Sequence, residues 1–495
     1  MEYGFLSLLP PLVAIVLAIR TKQVFISLLF GIWLGWLILS DWNPLSGTFN
    51  AVQALVSVFE DNGNTRTIMF SALVGGLIIF IQQSGGVEGF IIQVQRLLER
   101  YEAKKTGANR TIIQLLAWLT GVLIFVESSI SVLTVGALYR PIFDKLGIAR
   151  EKLAYLADSS SAPSSILIPF NGWGAFIMGI LAAQGFSDPF ATMMKSVVYN
   201  FYPMLALLLA LVVIFTGKDI GAMRHAERRV RDTGKLLNDN AQPMVADELT
   251  DVPTKAGVTP RAINMILPIT IMVLMMPVML AVTGWASALE ARPDTALGGQ
   301  ILYAVGQGSG STSVLIAVLT SLFVSMIFYK AQGIMGIKEG VELILKGISG
   351  MIPLALLMLL AFAIGKVCKN LETGLYVANV AESMNLSASF VPLLIFVVSC
   401  FIAFSTGTSW GTFAIMLAIA IPMAEQLGGN VAIAIAAALG GGVFGDHCSP
   451  ISDTTILSSM ASATDHIDHV RTQFPYALIA GTGAALMYLI LGVLG

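Results

Sequence analysis

The sequence predicts an all-α polytopic membrane protein built as an inverted repeat, with two re-entrant hairpins and two broken helices. Three observations carry that expectation. Hydrophobic residues make up 56% of the 495 residues and charged residues only 12%. With a mean hydropathy of +0.80, this composition lies outside the soluble globular class. The apolar runs have bilayer-crossing length, and about ten to twelve spans of roughly 20 residues fit the chain. Finally, two of those runs are interrupted by acids, hydroxyls and proline, at residues 158–165 (DSSSAPSS) and 440–459 (GGGVFGDHCSPISDTTILSS). Proline lacks the helical donor, and a charge at the centre of a span is costly. Non-helical backbone at membrane depth therefore implies burial in protein or a water-filled cavity.

The chain divides as follows. Residues 1–65 hold two spans, near 3–19 and 24–40, and an acidic polar segment at 41–65. No basic n-region precedes the first span, so it reads as a span entering from outside and not as a cleavable signal. Residues 66–216 form the first repeat: a span at 67–84, an interfacial helix at 87–98, a hairpin at 111–139, a broken span at 151–184 and a return span. Both ends of the hairpin are basic (Lys104, Lys105, Arg110, then Arg140, Lys145, Arg150, Lys152), which puts both on the cytoplasmic side with Glu127 near the tip. Residues 217–261, Arg-rich and then Pro/Asp-rich, read as a partly disordered cytoplasmic linker.

Residues 262–348 are connecting spans, with a Gly/Ser turn at 306–313 and a surface helix at 333–347. Residues 349–495 repeat the earlier order from the opposite side: a span at 350–367, an interfacial piece, a hairpin at 388–424 whose tip is 404–412 (FSTGTSWGT), a broken span at 430–463 and a last span. The scaffold is expected from 1–65 and 262–348. The three cysteines offer neither a disulfide framework nor metal-ligand spacing. Paired interruptions in corresponding halves are the sequence pointer to a secondary transporter's midplane site.

A small hard cation takes oxygen ligands. Asp158 with Ser159 and Ser160, and Asp453 with Ser449, Ser452 and Thr454, supply them, with Glu127, Ser128, Ser405, Thr406 and Thr408 from the hairpin tips. Helix ends at the breaks add unpartnered carbonyls. A carboxylate held away from water binds either a proton or Na⁺, and competition for one site produces antiport. On this reading Na⁺ is bound at Asp158 and Asp453, while Asp158, Asp453, Asp446 and His447 are candidates for proton coupling or pH sensing. Structural roles stand beside these. Asp453 and Ser452 suit an N-cap, Asp158 a cap or turn, Glu127 a backbone hydrogen bond, and Asp446 a pairing with His447. His466 and His469 are spaced i, i+3, which suits pH sensing more than a metal. Gly440, Gly441, Gly442 and Gly445 suit close packing, and Trp173 and Trp410 suit core filling.

Residues 445–459 (GDHCSPISDTTILSS) and 465–478 (DHIDHVRTQFPYAL) resemble the signature of the NhaC-type sodium/proton antiporter family, within the ion-transporter superfamily. Residues 158–173 (DSSSAPSSILIPFNGW) match more loosely. The resemblance implies a homodimer in the lipid bilayer of the bacterial cytoplasmic membrane, with a fixed scaffold and a mobile, elevator-type transport domain exchanging Na⁺ for H⁺. It implies no cofactor beyond the transported ions and no nucleic-acid partner. Relatives of this type also exchange these ions against organic acids or carry amino acids. A sodium- or proton-coupled carrier of a small organic acid or amino acid is thus the alternative, with Asn171, Ser164, Ser165 and Ser409 as carboxylate binders but no arginine in either break. An intramembrane hydrolase using Ser449, His447 and Asp446 is disfavoured, because the three are crowded into four consecutive positions. A passive channel is disfavoured by the repeats.

Overall fold

A computed structural model describes residues 3–21, 23–90, 92–93, 96, 110–125, 128–169, 171–243, 255–291, 293, 295–383 and 387–494. The fold is all-helical, with no strand among the described residues. The first helices are α1 (Leu9–Thr21), α2 (Val24–Leu39), α3 (Pro44–Ser57) and α4 (Asn62–Gln83). A helical pair follows, α5 (Arg110–Leu123) and α6 (Ser128–Lys145), then α7 (Arg150–Leu167), α8 (Gly172–Ala183), α9 (Pro189–Val197) and α10 (Phe201–Thr216). Next come α11 (Gly221–Thr233), α12 (Ile263–Ala291), α13 (Leu297–Gln307), α14 (Gly310–Ala331), α15 (Ile337–Asn370) and α16 (Thr373–Ser383). The chain closes with the pair α17 (Val391–Thr406) and α18 (Ser409–Gln426), then α19 (Val431–Cys448), α20 (Asp453–Ala461) and α21 (His466–Leu494).

Among the described residues, eight helical stretches are long and apolar enough to cross a bilayer, or nine if the bent pair α7–α8 counts as one span. Shorter apolar helices lie at 4–18, 25–39 and 110–123. Several elements differ from the sequence expectation. Helix α7 runs through the Asp158 segment and stops only at Leu167, so the interruption lies at 168–171, between Leu167 and Gly172, where the axis bends by 44°. A proline is tolerated there because serine hydroxyls and neighbouring helices satisfy the freed groups. The surface helix expected at 333–347 and the span at 350–367 are one continuous helix, α15. The linker carries an ordered amphipathic helix, α11, whose buried side is Met223, Ala226, Glu227 and Val230. The interfacial helix at 87–98 and the loop up to Arg110 lie largely outside the described residues.

Helix α4 packs along α15 and α14, while α2 also leans on α15. The α4–α15 crossing is close because Gly75 and Gly347 face each other. A Cβ on either would collide with the other's carbonyl oxygen. The second close pair is α17 with α19, where Gly441 and Gly445 of α19 lie against the α17 backbone and Gly442 lies against Phe413. These glycines thus serve packing. Small residues let helix backbones approach where lipid tails supply no hydrophobic contrast. Trp173 and Trp410, with ring centroids 5.3 Å apart, join α8 to α18 together with Phe176 and Phe413.

The crossing generates a prediction. Gly75→Val forces backbone apart at α4–α15 and should cost about 1–3 kcal/mol or more. A lower thermal midpoint of the purified protein checks it; an unchanged midpoint would mean the crossing is slack.

Candidate functional site

Helix α7 has no solvent-facing side: every residue from Glu151 to Ile166 is buried, including one aspartate and five serines. Its hydroxyls make this possible by bonding locally. Ser160 donates to the Leu156 carbonyl at 2.7 Å, Ser161 to the Asp158 carbonyl at 3.2 Å and Ser164 to the Ser160 carbonyl at 2.7 Å. Such back-bonding hides hydroxyls in an apolar surround and favours bending. Pro163 has no N–H for the Ser159 carbonyl, which therefore lacks its helical donor beside Asp158. At the end of α7, the Asn171 amide donates to the carbonyls of Phe125 (2.9 Å), Ser165 (2.7 Å) and Ile168 (2.9 Å), and its oxygen accepts from the Gly174 N–H. Ser165 also donates to the Phe125 carbonyl at 3.0 Å. One side chain thus closes the break and holds the end of the α5 segment.

The second interruption falls between Cys448 and Asp453. It is organised by Asp446, whose two carboxylate oxygens accept from Ser409 (2.8 Å) and Ser452 (2.7 Å). Ser409 opens α18 at the hairpin turn and Ser452 caps α20, so one buried carboxylate joins three helix ends. Ser449 donates to the Phe404 carbonyl at 2.7 Å, which ties the same break to α17.

The two interruptions meet through α21 and α10. Gln473 donates to Asp158 Oδ2 at 2.7 Å and to the His447 carbonyl. Its own carbonyl oxygen lies 2.7 Å from His469 Nε2, so that nitrogen carries the proton. His469 Nε2 is also 4.0 Å from Asp158 Oδ2. His469 Nδ1 contacts Ser459 Oγ at 2.9 Å, and Ser459 Oγ contacts His466 Nδ1 at 3.0 Å. His466 Nε2 reaches the Pro450 carbonyl at 2.7 Å and must donate to it. On the other flank, the His447 ring lies between Ser159 Oγ (3.0 Å) and Tyr202 Oη (2.7 Å). Asp158 Oδ1 is buried and makes no hydrogen bond among the described residues. In so dense a network, an unsatisfied carboxylate oxygen is costly, and a bound proton or cation would relieve it.

The expected residues fall into groups. Asp158, Ser159, Ser449, Ser452, Thr454, Asp446 and His447 are buried in the connected network or at its edge. Ser160 is buried on α7 with its hydroxyl turned to its own helix. Asp453 opens α20 with its side chain exposed, accepting from the Thr454 N–H at 2.8 Å. Thr406 and Thr408 line a small cavity against α1 and α2, with Ala14, Ser27 and Leu28, and so stand apart from Asp158. Ser128 opens α6 and is buried. Glu127 lies outside the described residues. The crowded Asp446–His447–Ser449 trio makes no relay, since His447 is bound by Ser159 and Tyr202 and Ser449 faces a carbonyl. Sequence reasoning missed Gln473 and Tyr202. The signal for Gln473 was an amide inside a span that follows Arg471, where an apolar residue is expected.

An all-helical fold with several bilayer-length helices and an aspartate buried beside two helix breaks fits the class of membrane transporters. The chain belongs to the Na⁺/H⁺ antiporter family, whose profile matches residues 175–493. This agrees with the NhaC-type signature. An uncharacterised protein of Haemophilus influenzae is 33% identical over 98% of this chain and 90% of its own length. The malate-2H⁺/Na⁺-lactate antiporter of Bacillus subtilis is 36% identical over 88 residues, 18% of this chain and 19% of its own. The YdaH transporter of Alcanivorax borkumensis shares the fold, with a TM-score of 0.59 at 13% identity, over 95% of this chain and 97% of that one.

Asn171→Leu should leave buried carbonyls at the first break without donors, costing about 1–3 kcal/mol. The check is a lowered unfolding midpoint with the protein still monodisperse, and a wild-type midpoint would show that the break holds without the amide.

Proposed function

We propose that the protein exchanges Na⁺ for H⁺ across the membrane, with Asp158 as the group for which the two ions compete. The observation that carries this reading is the Asp158 carboxylate. One oxygen is held by Gln473 and the other is buried with no hydrogen bond among the described residues. Oxygen donors stand nearby on the same helices: the Ser159 carbonyl freed by Pro163, and the hydroxyls at the start of α20, including Thr454. Among the described residues no three His, Cys, Asp or Glu side chains converge, so a cation would draw its further ligands from hydroxyls and carbonyls, as a hard ion prefers. Asp453, being exposed, suits a second acid at the mouth of the site, where an arriving Na⁺ is first met. Asp446, with both oxygens taken by hydroxyls, suits a positioning role. His469, 4.0 Å from the carboxylate, suits proton delivery.

The exchange needs Asp158 to face each side in turn without crossing empty and charged. The order of hairpin, then interrupted helix, occurs twice (α5–α6 with α7–α8, α17–α18 with α19–α20), which supports an inverted repeat and alternating access. In that arrangement these elements form the moving part and the α4–α14–α15 group the scaffold, in a homodimer. The linker and the hairpin openings face the cytoplasm of a bacterial inner membrane.

The second reading, exchange coupled to an organic acid, draws on the likeness to the malate/lactate antiporter. Against it, the groups that would grip a carboxylate are already engaged. The Asn171 amide is spent on three carbonyls, and Ser164, Ser165 and Ser409 donate within the protein.

Proteoliposomes with an internal pH dye test both readings. Na⁺ alone should drive proton movement in the wild type. Asp158→Asn should lower it by at least about a hundredfold, in line with loss of the sole competing carboxylate, while Asp453→Asn should keep a measurable fraction. Wild-type exchange by Asp158→Asn would sink the assignment, and a response that requires malate, lactate or an amino acid would favour the second reading.

A further inference from the structure

Helix α11 presents two different faces. Its inward face is anchored by charge. Glu227 accepts from Arg110 at 2.6 Å and from the Ala149 N–H at 3.0 Å, and Arg229 reaches Glu151 of α7 at 2.9 Å. Just before the helix, Asp219 is held by Lys152 of α7 at 2.5 Å and by the Tyr476 hydroxyl at 3.2 Å. The outward face carries Arg224, Arg228 and Arg231, which recur at i, i+4 and i+7 and are all exposed. With Lys218 they line a cleft of about 200 Å³ that also includes Gly217, Asp219 and Glu227.

The charge balance of this cleft is one-sided. Its two carboxylates are already committed inward, to Lys152 and Arg110. Of its four cations, only Arg224 spends a donor, its Nε–H on the Asp219 carbonyl at 2.9 Å. The head groups of Lys218, Arg228 and Arg231 make no ion pair or side-chain hydrogen bond among the described residues. Arginine forks and a flexible ammonium around a concavity match the oxygens of a phosphate.

The location selects the source of that phosphate. Gly217 and Lys218 directly follow α10, the apolar first part of Phe201–Thr233, a stretch long and apolar enough to cross the bilayer, and Gly217 ends α10 in the left-handed conformation with φ +61°. The exposed apolar residues of α10 nearest the cleft are Leu208 (55%), Val212 (47%) and Phe215 (63%), again at i, i+4 and i+7. Gly217 turns the chain out of the helix, and Lys218, the next residue, lines the cleft. An exposed apolar stripe on α10 is thus followed at once in the chain by a cationic cleft, the arrangement that fits an acyl chain joined to an anionic headgroup.

We propose that this cleft binds the phosphate of an anionic phospholipid, with Lys218, Arg224, Arg228 and Arg231 on the headgroup and Leu208, Val212 and Phe215 along an acyl chain. The site stands apart from Asp158 and does not depend on which ions or solutes are exchanged. Its occupant would bridge the end of α10 to α11, and through Asp219–Lys152 it would brace the first turn of α7, six residues before Asp158.

Binding to the full-length protein in detergent, followed by native mass spectrometry, tests this. The probes are short-chain phosphatidylglycerol, phosphatidylcholine of the same chain length and inorganic phosphate. Phosphatidylglycerol should bind about tenfold or more tighter than phosphatidylcholine, and the triple variant R224Q/R228Q/R231Q should lose that preference. K235Q, which removes a linker cation paired with Asp239 outside the cleft, should keep it. Equal affinity for the two lipids would overturn the proposal, as would a triple variant that retains the preference or a K235Q variant that loses it. Inorganic phosphate that binds as tightly as the lipid would overturn the lipid assignment in favour of a soluble anion. Should the triple variant fail to fold, Phe215→Ser decides: weaker phosphatidylglycerol binding supports the track along α10, and unchanged binding removes it.

Discussion

Helix α7 must hold an aspartate and a run of serines where neither water nor lipid can solvate them, and much of the surrounding structure meets that demand. Isolating a polar group in an apolar surround costs several kcal/mol in the absence of a partner. Ser160, Ser161 and Ser164 avoid the cost by bonding to their own helix. Asp158 cannot, so a donor comes from α21 in the form of Gln473. That amide also holds the carbonyl of His447, whose ring bonds back to Ser159 on α7. Within this network, Asp158 Oδ1 is left without a hydrogen bond among the described residues.

The two interruptions are built on one principle with different chemistry. At the first, a neutral amide, Asn171, collects three carbonyls that the end of α7 and the α5 segment cannot pair. At the second, a carboxylate, Asp446, collects hydroxyls from the starts of α18 and α20. Donor and acceptor are exchanged, yet each break is satisfied from within. Such breaks can persist at membrane depth without water. Two acids in the second break therefore have different surroundings: Asp446 is used up by structure, and Asp453, seven residues on, remains exposed.

Outside the apolar zone the same α7 helix is held by ion pairs. Glu151 and Lys152, both buried in its first turn, find Arg229 and Asp219 on the linker. A buried charge that loses its partner is strongly destabilising, so the linker is a structural part of the helix that carries Asp158 and not merely a tether between halves. Arg224, Arg228 and Arg231 on α11 face outward.

By itself the sequence determined the membrane class and the family, because these rest on composition, hydropathy and a long contiguous motif. It also brought Asp158, Asp446 and His447 to attention, since a charge or imidazole inside an apolar run is conspicuous wherever the chain goes. It misplaced the first break by about ten residues: proline and serines after Asp158 look like a helix end, whereas back-bonding hydroxyls let the helix run on to Leu167. Only the tertiary structure decided which acid is spent and which is open, and it did so through contacts distant in the chain. Ser409, 37 residues away, reaches Asp446, while Gln473, 315 residues from Asp158, covers one of its two oxygens. A residue's type shows that it needs a partner, but which partner arrives depends on how the helices are packed together.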